Sequence, residues 1–256
     1  MIHENALVDP SAQVAADAEI GPFCVIGPDV EIGSGTTVAS HTVIRGPTRI
    51  GRDNRIFAFA SVGEAPQDLK YAGEPTELII GDRNTLREYV TLNRGTSEGG
   101  GVTRVGDDNL LMAYIHIAHD CSVGNSTVFA NAASLGGHVE VGDWAILGGF
   151  SCFHQFTRIG AHSFTGMASS VSGDVAPFMR VAGNRARGYG VNKNGLERRG
   201  FDADAIKALQ STYKLLLRGG KPRVDARQRA EALALEHEEV RQLLAFIDTS
   251  ERGVVR

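Results

Sequence analysis

The sequence predicts a mainly β protein, a parallel β-helix followed by a C-terminal α-helical tail. The first observation is a period of six, since a branched aliphatic residue occupies every sixth position from Val8 to Val62. The period resumes at Val105 and continues with large apolar residues to Ile159. An α-helix repeats every ~3.6 residues and a simple strand every ~2, whereas a chain that turns a corner after each short strand repeats every ~6.

The second observation concerns the neighbours of these aliphatic residues. The residue two positions earlier is usually small, as at Cys24 and Thr42, and strand residues i and i−2 share a face, so both are expected to point inward. A glycine often follows the aliphatic residue, as at Gly33 and Gly106, where we expect a turn with unusual backbone angles. The pattern resembles the hexapeptide-repeat acyltransferases. That resemblance implies a left-handed β-helix with three hexapeptides per triangular coil, so that residues about 18 apart stack about 4.8 Å from one another.

Two segments break the period and are predicted to leave the β-helix as loops, at residues 64–76 and 94–101. Eighteen residues separate Val62 from Ile80, which we interpret as one full coil, so that the first loop returns in phase. The second loop shifts the phase by one residue. Loops that interrupt a regular solenoid are where such proteins carry their function.

The C-terminal part of the chain has a helical pattern. Asp202 can cap a helix that ends at Gly219-Gly220, and a second helical stretch begins near Asp225. We therefore assign residues 1–190 to the β-helix and residues 191–256 to a helical tail, which is expected to cover the open edge of the last coil. One face of the first helix carries Ile206, Leu209, Tyr213 and Leu216.

Composition bounds the class of protein. The N-terminus has neither a basic start nor an apolar run, so no secretory signal is expected, and no apolar stretch is long enough to span a membrane. The three cysteines, Cys24, Cys121 and Cys152, are scattered in a way that predicts small reduced core residues of a cytoplasmic protein.

The net charge of −4 conceals a basic segment. Residues 180–223 contain eleven Lys or Arg and three Asp or Glu, a balance that attracts phosphate groups or an acidic partner. The segment lacks the interleaved aromatic residues that single-stranded nucleic acid requires, so nucleic acid is not expected.

A catalytic centre is predicted where histidines from successive coils meet on one edge. His116 and His119 flank an inward isoleucine, and His138 and His154 follow after 19 and 16 further residues. A histidine can take a proton from a hydroxyl at neutral pH, and the amide of Gly137, one coil from His119, could stabilise an oxyanion. No cysteine and no serine in a G-x-S-x-G motif lies in a place that suggests a covalent acyl-enzyme, so direct transfer is predicted.

Six motifs narrow the resemblance to one family: QDLKYAGEPT (residues 67–76), NRGT, HIAHDC, GGH, HQF and GVNKNGLERRGF. Together they are similar to the UDP-N-acetylglucosamine O-acyltransferases, which catalyse the first step of lipid A biosynthesis. The resemblance implies transfer of an (R)-3-hydroxyacyl chain from acyl carrier protein to the 3-hydroxyl of UDP-N-acetylglucosamine, without a metal or another cofactor.

The same resemblance implies roles for individual residues. His119 would be the general base, Asp120 would orient it and Gly137 would donate its amide to the oxyanion. Asn194 departs from the family pattern, which has an acidic residue near the nucleotide base. The other substrate contacts that it implies are Gln67, Asp68, Lys70, His116, His138, His154, Gln155, Asn192, Arg198 and Arg199.

Two further properties follow from the resemblance. At the position of Met167, relatives that accept long chains have glycine, so Met167 would act as a ruler that favours acyl chains of about ten carbons. It is expected down the helix from the reaction centre, two coils after Asn131. The family acts as homotrimers with the active site between subunits, where the loop at residues 67–76 reaches a neighbour.

Three alternatives compete with this interpretation. A related N-acyltransferase of lipid A assembly begins with a separate uridine-binding domain, whereas here the hexapeptides begin by residue 6. A zinc lyase of the γ-carbonic-anhydrase type would bind its metal with histidines from successive coils, such as His119 and His154. A purely structural solenoid would need neither the loops nor the histidines.

Overall fold

The computed structural model describes residues 1–218 and 225–256. Over those residues the chain forms a left-handed parallel β-helix with three sheets, here called faces 1, 2 and 3, followed by helices. Strands that are neighbours within a face belong to successive coils, so each coil contributes one strand to each face. The predicted fold class is confirmed.

The strands are short, most of them two residues long. Face 1 consists of β1 (Leu7–Val8), β4 (Val25–Ile26), β7 (Val43–Ile44), β10 (Ser61–Glu64), β13 (Thr91–Asn93), β16 (His116–Ile117), β19 (Ser134–Leu135), β22 (Cys152–Phe153) and β25 (Ser170–Val171). Face 2 consists of β2 (Gln13–Val14), β5 (Val30–Ile32), β8 (Thr48–Ile50), β11 (Glu77–Ile80), β14 (Val102–Val105), β17 (Ser122–Val123), β20 (Glu140–Val141) and β23 (Arg158–Ile159). Face 3 consists of β3 (Glu19–Ile20), β6 (Thr37–Val38), β9 (Arg55–Ile56), β12 (Thr85–Leu86), β15 (Leu110–Leu111), β18 (Val128–Phe129), β21 (Ile146–Leu147), β24 (Phe164–Thr165), β26 (Met179–Ala182) and the antiparallel β27 (Arg187–Val191).

The aliphatic residues of the period fill the interior of the β-helix. Ile26, Ile44 and Val62 are direct neighbours in successive coils and are at most 1% exposed. The small residues beside them, such as Cys24 and Thr42, are also buried. Burial of one such aliphatic side chain stabilises the fold by about 1.5–3 kcal/mol, so the repeat itself supplies the core.

Among the glycines after the aliphatic residues, Gly63 has the predicted unusual backbone angle, with φ of 78°, but most of the others do not. Gly33 and Gly106 do not have positive φ angles; instead, a β-carbon on Gly33 would lie 2.5 Å from the carbonyl oxygen of Gly51 in the next coil. The left-handed corner positions are occupied by other residues, such as His41 and Asp120, with φ of 62° and 60°. These glycines therefore allow adjacent coils to approach closely.

The two loops lengthen two coils by different amounts. Ile80 pairs with Ile50 across thirty residues instead of eighteen, and Val62 lies on face 1 whereas Ile80 lies on face 2. Our interpretation of these two residues as one coil apart is therefore wrong, because the first loop adds twelve residues between neighbouring faces. Ile80 pairs with Val105 across twenty-five residues, which confirms the phase shift of one residue at the second loop.

A ladder of buried asparagines, which the period does not reveal, joins the lengthened coils. The backbone N–H and the Nδ2 of Asn84 donate to Oδ1 of Asn54 at 2.9 and 3.1 Å. Asn109 donates in the same way to Asn84, both at 2.9 Å. The buried side-chain amides of these three asparagines are thereby paired within the core.

The cysteines are free, but they are not all in the core. Cys24 and Cys121 are buried, as predicted, and burial raises the pKa of the Cys121 thiol to about 12. Cys152 is exposed on face 1, because the interior position of β22 is taken by Phe153. The prediction that Cys152 is a core residue is wrong.

Four helices are described after the strands: α1 (Lys193–Arg198), α2 (Ala203–Leu216), α3 (Ala226–Glu236) and α4 (Glu238–Asp248). Asp202 caps α2, as predicted, since its carboxylate accepts from the amides of Asp204 and Ala205. The predicted helix end at Gly219-Gly220 lies outside the described residues. Leu196, Leu209 and Leu244 pack with Ala176 and Phe178 of the last coil. Among the described helices none is both long and apolar enough to cross a lipid bilayer.

Candidate active site

His119 and Asp120 lie at the corner between faces 1 and 2, after β16 and before β17. Adjacent residues in a strand point to opposite faces, but Asp120 has the left-handed corner conformation, with φ of 60°, so this rule does not apply. His119 Nδ1 lies 2.8 Å from Asp120 Oδ2. The side chain of Asp120 is fully buried, and that of His119 is 13% exposed.

This contact defines which nitrogen of His119 carries the proton. An ionised carboxylate can only accept hydrogen bonds, so Nδ1 donates to Asp120. Nε2 then carries the lone pair and can accept a proton from a neighbouring hydroxyl. The pair has the arrangement that a general base and its orienting residue require.

Gly137 lies directly against the imidazole ring of His119. A β-carbon added to Gly137 would lie 2.6 Å from Cε1 and 2.8 Å from Nε2 of His119. Among the described residues, no acceptor is found for the amide of Gly137, so this N–H is available to a ligand beside the base.

Two further histidines adjoin His119. The ring of His138 meets that of His119 edge-on, with centroids 5.2 Å apart, and stacks on Phe156 at 4.3 Å. His116 lies on face 1, where its Nδ1 is 2.7 Å from Oγ1 of Thr91. Burial lowers the pKa of both His138 and His116, so both are neutral at pH 7 and can form hydrogen bonds without adding charge.

His154 and Gln155 lie on the same corner, further along the β-helix, and both are exposed. His154 Nδ1 is 3.1 Å from an Nη atom of Arg252, near the end of the chain. Gln155 belongs to the same register as His119 and Gly137, one coil beyond the glycine. A cavity of about 600 Å³ lies beside His138, and Arg158 and Arg252 line it.

The corner also contains a group that could hold a metal ion. One ligand atom each from His119, Asp120 and His138 lies within 4.8 Å of the others. The zinc alternative instead pairs His119 with His154, which contacts Arg252. The structure therefore brings together a different set of ligands from the one that the sequence suggested.

The first loop carries three of the predicted substrate contacts. Gln67 and Lys70 are exposed, and Leu69 between them is fully exposed. Asp68 accepts a hydrogen bond from the amide of Lys70 at 3.0 Å, and its charge acts on the pKa of His138 in the raising direction. The loop therefore extends beside the histidine corner.

Asn192, Asn194 and Arg198 line a separate cavity of about 400 Å³ on face 3. Arg180 and Lys193 add further polar lining, and apolar walls come from Ile146 and Phe164. The side-chain Nδ2 of Asn192 donates to the carbonyl oxygen of His162 at 2.9 Å, and this hydrogen bond anchors the Asn192 side chain. The cavity presents two guanidinium groups and amides, which suits a phosphate-bearing ligand.

Arg199 does not line this cavity. Its guanidinium lies over the ring of Trp144 at 5.3 Å and donates to the Trp144 carbonyl oxygen at 2.9 Å. The ring of His162 packs between Trp144 and Phe178. Burial, together with the charge of Arg199, lowers the pKa of His162 to about 4. Arg199 thus contacts the protein itself, at the corner between faces 2 and 3.

Met167 lies at the corner between faces 3 and 1 and is 74% exposed. It precedes β25, whereas His119 follows β16, three coils earlier on the same face. Met167 and His119 are therefore about 14 Å apart along the axis of the β-helix, and the width of face 1 lies between them. Met167 is further along the helix than His119, as expected, but on the opposite edge of the face.

Within one chain, the predicted site residues other than Arg199 and Met167 form two separate groups. The first surrounds His119 at the corner between faces 1 and 2, and the second surrounds Arg198 on face 3. Sequence reasoning missed Thr91 and Thr96, which contact His116 and Asp120. The NRGT motif, which contains Thr96, was the signal that could have identified it.

Comparisons with known proteins agree along the whole chain. A family model described as Udp N-acetylglucosamine O-acyltransferase, Domain 2, matches residues 174–255, and one described as bacterial transferase hexapeptide matches residues 16–46. The acyl-[acyl-carrier-protein]–UDP-N-acetylglucosamine O-acyltransferases of Thiobacillus denitrificans and Herminiimonas arsenicoxydans are 55% and 51% identical, and each match covers 100% of this chain and 99% of the relative. The crystal structure of UDP-N-acetylglucosamine O-acyltransferase from Moraxella catarrhalis is 45% identical, with a TM-score of 0.96 over 100% of this chain and 99% of that one.

Proposed function

The chain belongs to the family of acyl-[acyl-carrier-protein]–UDP-N-acetylglucosamine O-acyltransferases, and we propose that it transfers an (R)-3-hydroxyacyl group from acyl carrier protein to the 3-hydroxyl of UDP-N-acetylglucosamine. This is the first step of lipid A biosynthesis. The observation that carries the proposal at the site is the hydrogen bond between His119 and Asp120, beside the free amide of Gly137.

In the proposed mechanism His119 acts as the general base. Nε2 takes the proton of the sugar 3-hydroxyl while the hydroxyl oxygen bonds to the thioester carbonyl carbon. The amide of Gly137 donates to the resulting oxyanion. The carbon–sulfur bond then breaks, and the proton passes from His119 to the departing thiolate of the phosphopantetheine arm. Asp120 stabilises the imidazolium that exists between these steps.

The second group of residues supports binding of the phosphate-bearing substrates. Arg198 and Asn192 line a cavity that suits a nucleotide diphosphate or a phosphopantetheine phosphate. The basic balance of residues 180–223 suits an acidic acyl carrier protein, although residues 219–224 of that segment lie outside the described structure. Free cysteines are in keeping with a cytoplasmic protein.

We further propose that the functional unit is a homotrimer in which neighbouring subunits complete each active site. The His119 and Arg198 groups lie on different faces of one chain, so one substrate cannot easily contact both. The fully exposed Leu69, beside Asp68 and Lys70, suits a loop that reaches a neighbour, because contact with another subunit would remove its apolar surface from water.

Mixed trimers test this arrangement. His119→Ala and Arg198→Ala subunits are unfolded together, refolded and assayed at a UDP-N-acetylglucosamine concentration at which each variant alone is inactive. A shared site works when one subunit supplies an intact His119 and its neighbour supplies an intact Arg198. Random mixing in a cyclic trimer should therefore restore about a quarter of the wild-type sites. A monomer in sedimentation analysis, or no restored activity in verified mixed trimers, would contradict shared sites.

An acyl-transfer assay tests the function itself. The purified protein is incubated with UDP-N-acetylglucosamine and (R)-3-hydroxyacyl carrier proteins of ten, twelve and fourteen carbons, and the products are identified by mass spectrometry. We expect an ester at the sugar 3-hydroxyl and the greatest rate with ten carbons. No transfer with any donor would refute the proposal.

The competing functions are not favoured, because the full-length relatives are acyltransferases for this sugar nucleotide. Metal analysis of protein purified without chelator addresses the zinc lyase. We expect far less than one zinc ion per chain, whereas near-stoichiometric zinc would overturn the role of His119 as a base.

A further inference from the structure

The second loop, residues 94–101, folds over the buried carboxylate of Asp120. Thr96, at the start of this loop, is 6% exposed. Its amide donates to Oδ1 of Asp120 at 2.8 Å, and its hydroxyl lies 2.7 Å from Oδ2. One residue thus contacts both oxygens of the carboxylate that contacts His119.

The direction of the Thr96 hydroxyl is determined by its other neighbour. The amide of Gly99 donates to Oγ1 of Thr96 at 3.2 Å, so the hydroxyl proton is left to point at Asp120. Gly99 can lie here only without a side chain, since a β-carbon would come 2.1 Å from the Asp120 carboxyl carbon. The loop is therefore shaped to cover this carboxylate.

The backbone of Asp120 is held from the opposite side. Its amide donates to Oγ1 of Thr103 at 2.8 Å. With the amide and both carboxylate oxygens bound, Oδ2 is held facing Nδ1 of His119.

Arg94 and the backbone of the loop attach it to the β-helix, since the guanidinium of Arg94 donates to the carbonyl oxygen of Gly63 and to the hydroxyl of Tyr71. The exposed polar pairs of the loop, such as Lys70 with Glu98 at 3.0 Å, contribute little.

We propose that Thr96 is a positioning residue for acyl transfer: it holds the Asp120 carboxylate so that His119 presents Nε2 to the acceptor hydroxyl. This inference rests on the proposed function. Thr96 acts through Asp120 and does not itself contact the reacting atoms.

The test compares Thr96→Val with Thr96→Ser. Valine keeps the shape and the backbone N–H but removes the hydroxyl. We expect kcat to fall about 10- to 100-fold, the range for losing a hydrogen bond to a charged group, while KM for UDP-N-acetylglucosamine changes less than about twofold. Thr96→Ser should recover most of kcat. The matched control is Ser97→Ala. The hydroxyl of Ser97 contacts Glu74 at 3.4 Å instead of Asp120, so its removal should leave kcat unchanged.

A double-mutant cycle with Asp120→Ala separates positioning from a general structural effect. Without the carboxylate, Thr96→Val should lower kcat by less than about twofold further. Equal losses in both backgrounds, a Thr96→Ser variant as impaired as Thr96→Val, or a Thr96→Val variant with more than half of wild-type kcat would each overturn the inference. Such a result with an active wild-type enzyme would leave the proposed function standing, whereas an inactive wild-type enzyme would refute the function itself.

Discussion

The imidazole of His119 lies against the backbone of Gly137, so closely that a β-carbon on Gly137 would come 2.6 Å from Cε1 of His119. The two residues are neighbours because one coil of the β-helix separates them. A proton acceptor and a free backbone N–H are thereby held at one spot by the repeat, without a flexible connection. This is the arrangement that the proposed mechanism requires of a base and an oxyanion donor.

Gly137→Ala should therefore impair the chemical step. The added methyl group displaces the imidazole of His119 from its place beside Asp120, and we expect kcat to fall by about 10²-fold or more. The midpoint of thermal unfolding should change little, because the site is on the outer side of the corner. The matched control is Gly188→Ala on face 3, where the backbone has no positive φ and the heavy atom nearest to an added β-carbon lies 3.4 Å away. A Gly137→Ala variant with near-normal kcat would contradict the close arrangement.

The two adjacent arginines should differ in their effects. Arg198→Ala should raise KM for a phosphate-bearing substrate and weaken the salt dependence of KM, with little loss of stability. Arg199→Ala should instead lower the free energy of unfolding by about 1–2 kcal/mol, because its contacts are with Trp144. Steady-state kinetics at two salt concentrations measure the effect on KM, and chemical denaturation measures the effect on the free energy of unfolding. Unchanged KM values for both substrates in the Arg198→Ala, Arg199→Ala double variant would leave these residues without a binding role.

Met167 should set the acyl-chain length. If its side chain excludes roughly four methylenes from a groove, at ~0.8 kcal/mol each, the loss is ~3 kcal/mol, or about a hundredfold in kcat/KM. We expect a preference for ten carbons over fourteen, and Met167→Gly should shift the preference toward fourteen. Equal use of both chain lengths by the wild-type enzyme would exclude the ruler.

The stability of the fold should fall at acid pH partly through His162. Burial first, and the charge of Arg199 second, lower its pKa from 6.5 to about 4 in the folded state, while Asp143 opposes them. The neutral ring therefore contributes its full stability above pH 6.5, and the contribution is lost as the pH falls toward 4. The free energy of unfolding should fall by about 1–2 kcal/mol over this range, a value reduced from the full effect of the pKa shift because the ring is partly exposed to solvent. His162→Phe should flatten the unfolding free energy between pH 6.5 and 4, and an unchanged slope in that variant would contradict this assignment.

The sequence predicts the β-helix because each coil packs only on the coils next to it, so that the core repeats along the sequence. A period of six places Ile26, Ile44 and Val62 in register without any knowledge of distant contacts. The same register correctly predicts that Gly137 lies beside His119. It does not predict how a long insertion divides between two faces, which is why the interpretation of Ile80 as one coil from Val62 is wrong.

Side chains at the corners were harder to predict. The contact of Asp120 with His119 depends on a left-handed backbone at a residue that is not glycine, which no periodicity reveals. Thr96 reaches Asp120 from a loop outside the repeat. Arg199 and Arg198 are adjacent in sequence, yet only one of them lines the cavity, because the end of α1 directs their side chains differently.

The kcat of His119→Ala with both substrates saturating is the most direct test of His119 as the general base. Loss of a general base lowers kcat by about 10²–10⁴-fold, and the variant should retain the wild-type assembly state and unfolding midpoint. His138→Ala, which removes a neighbouring neutral ring but not the base, should be much less impaired in kcat. A His119→Ala variant that keeps more than about a tenth of wild-type kcat would contradict the mechanism.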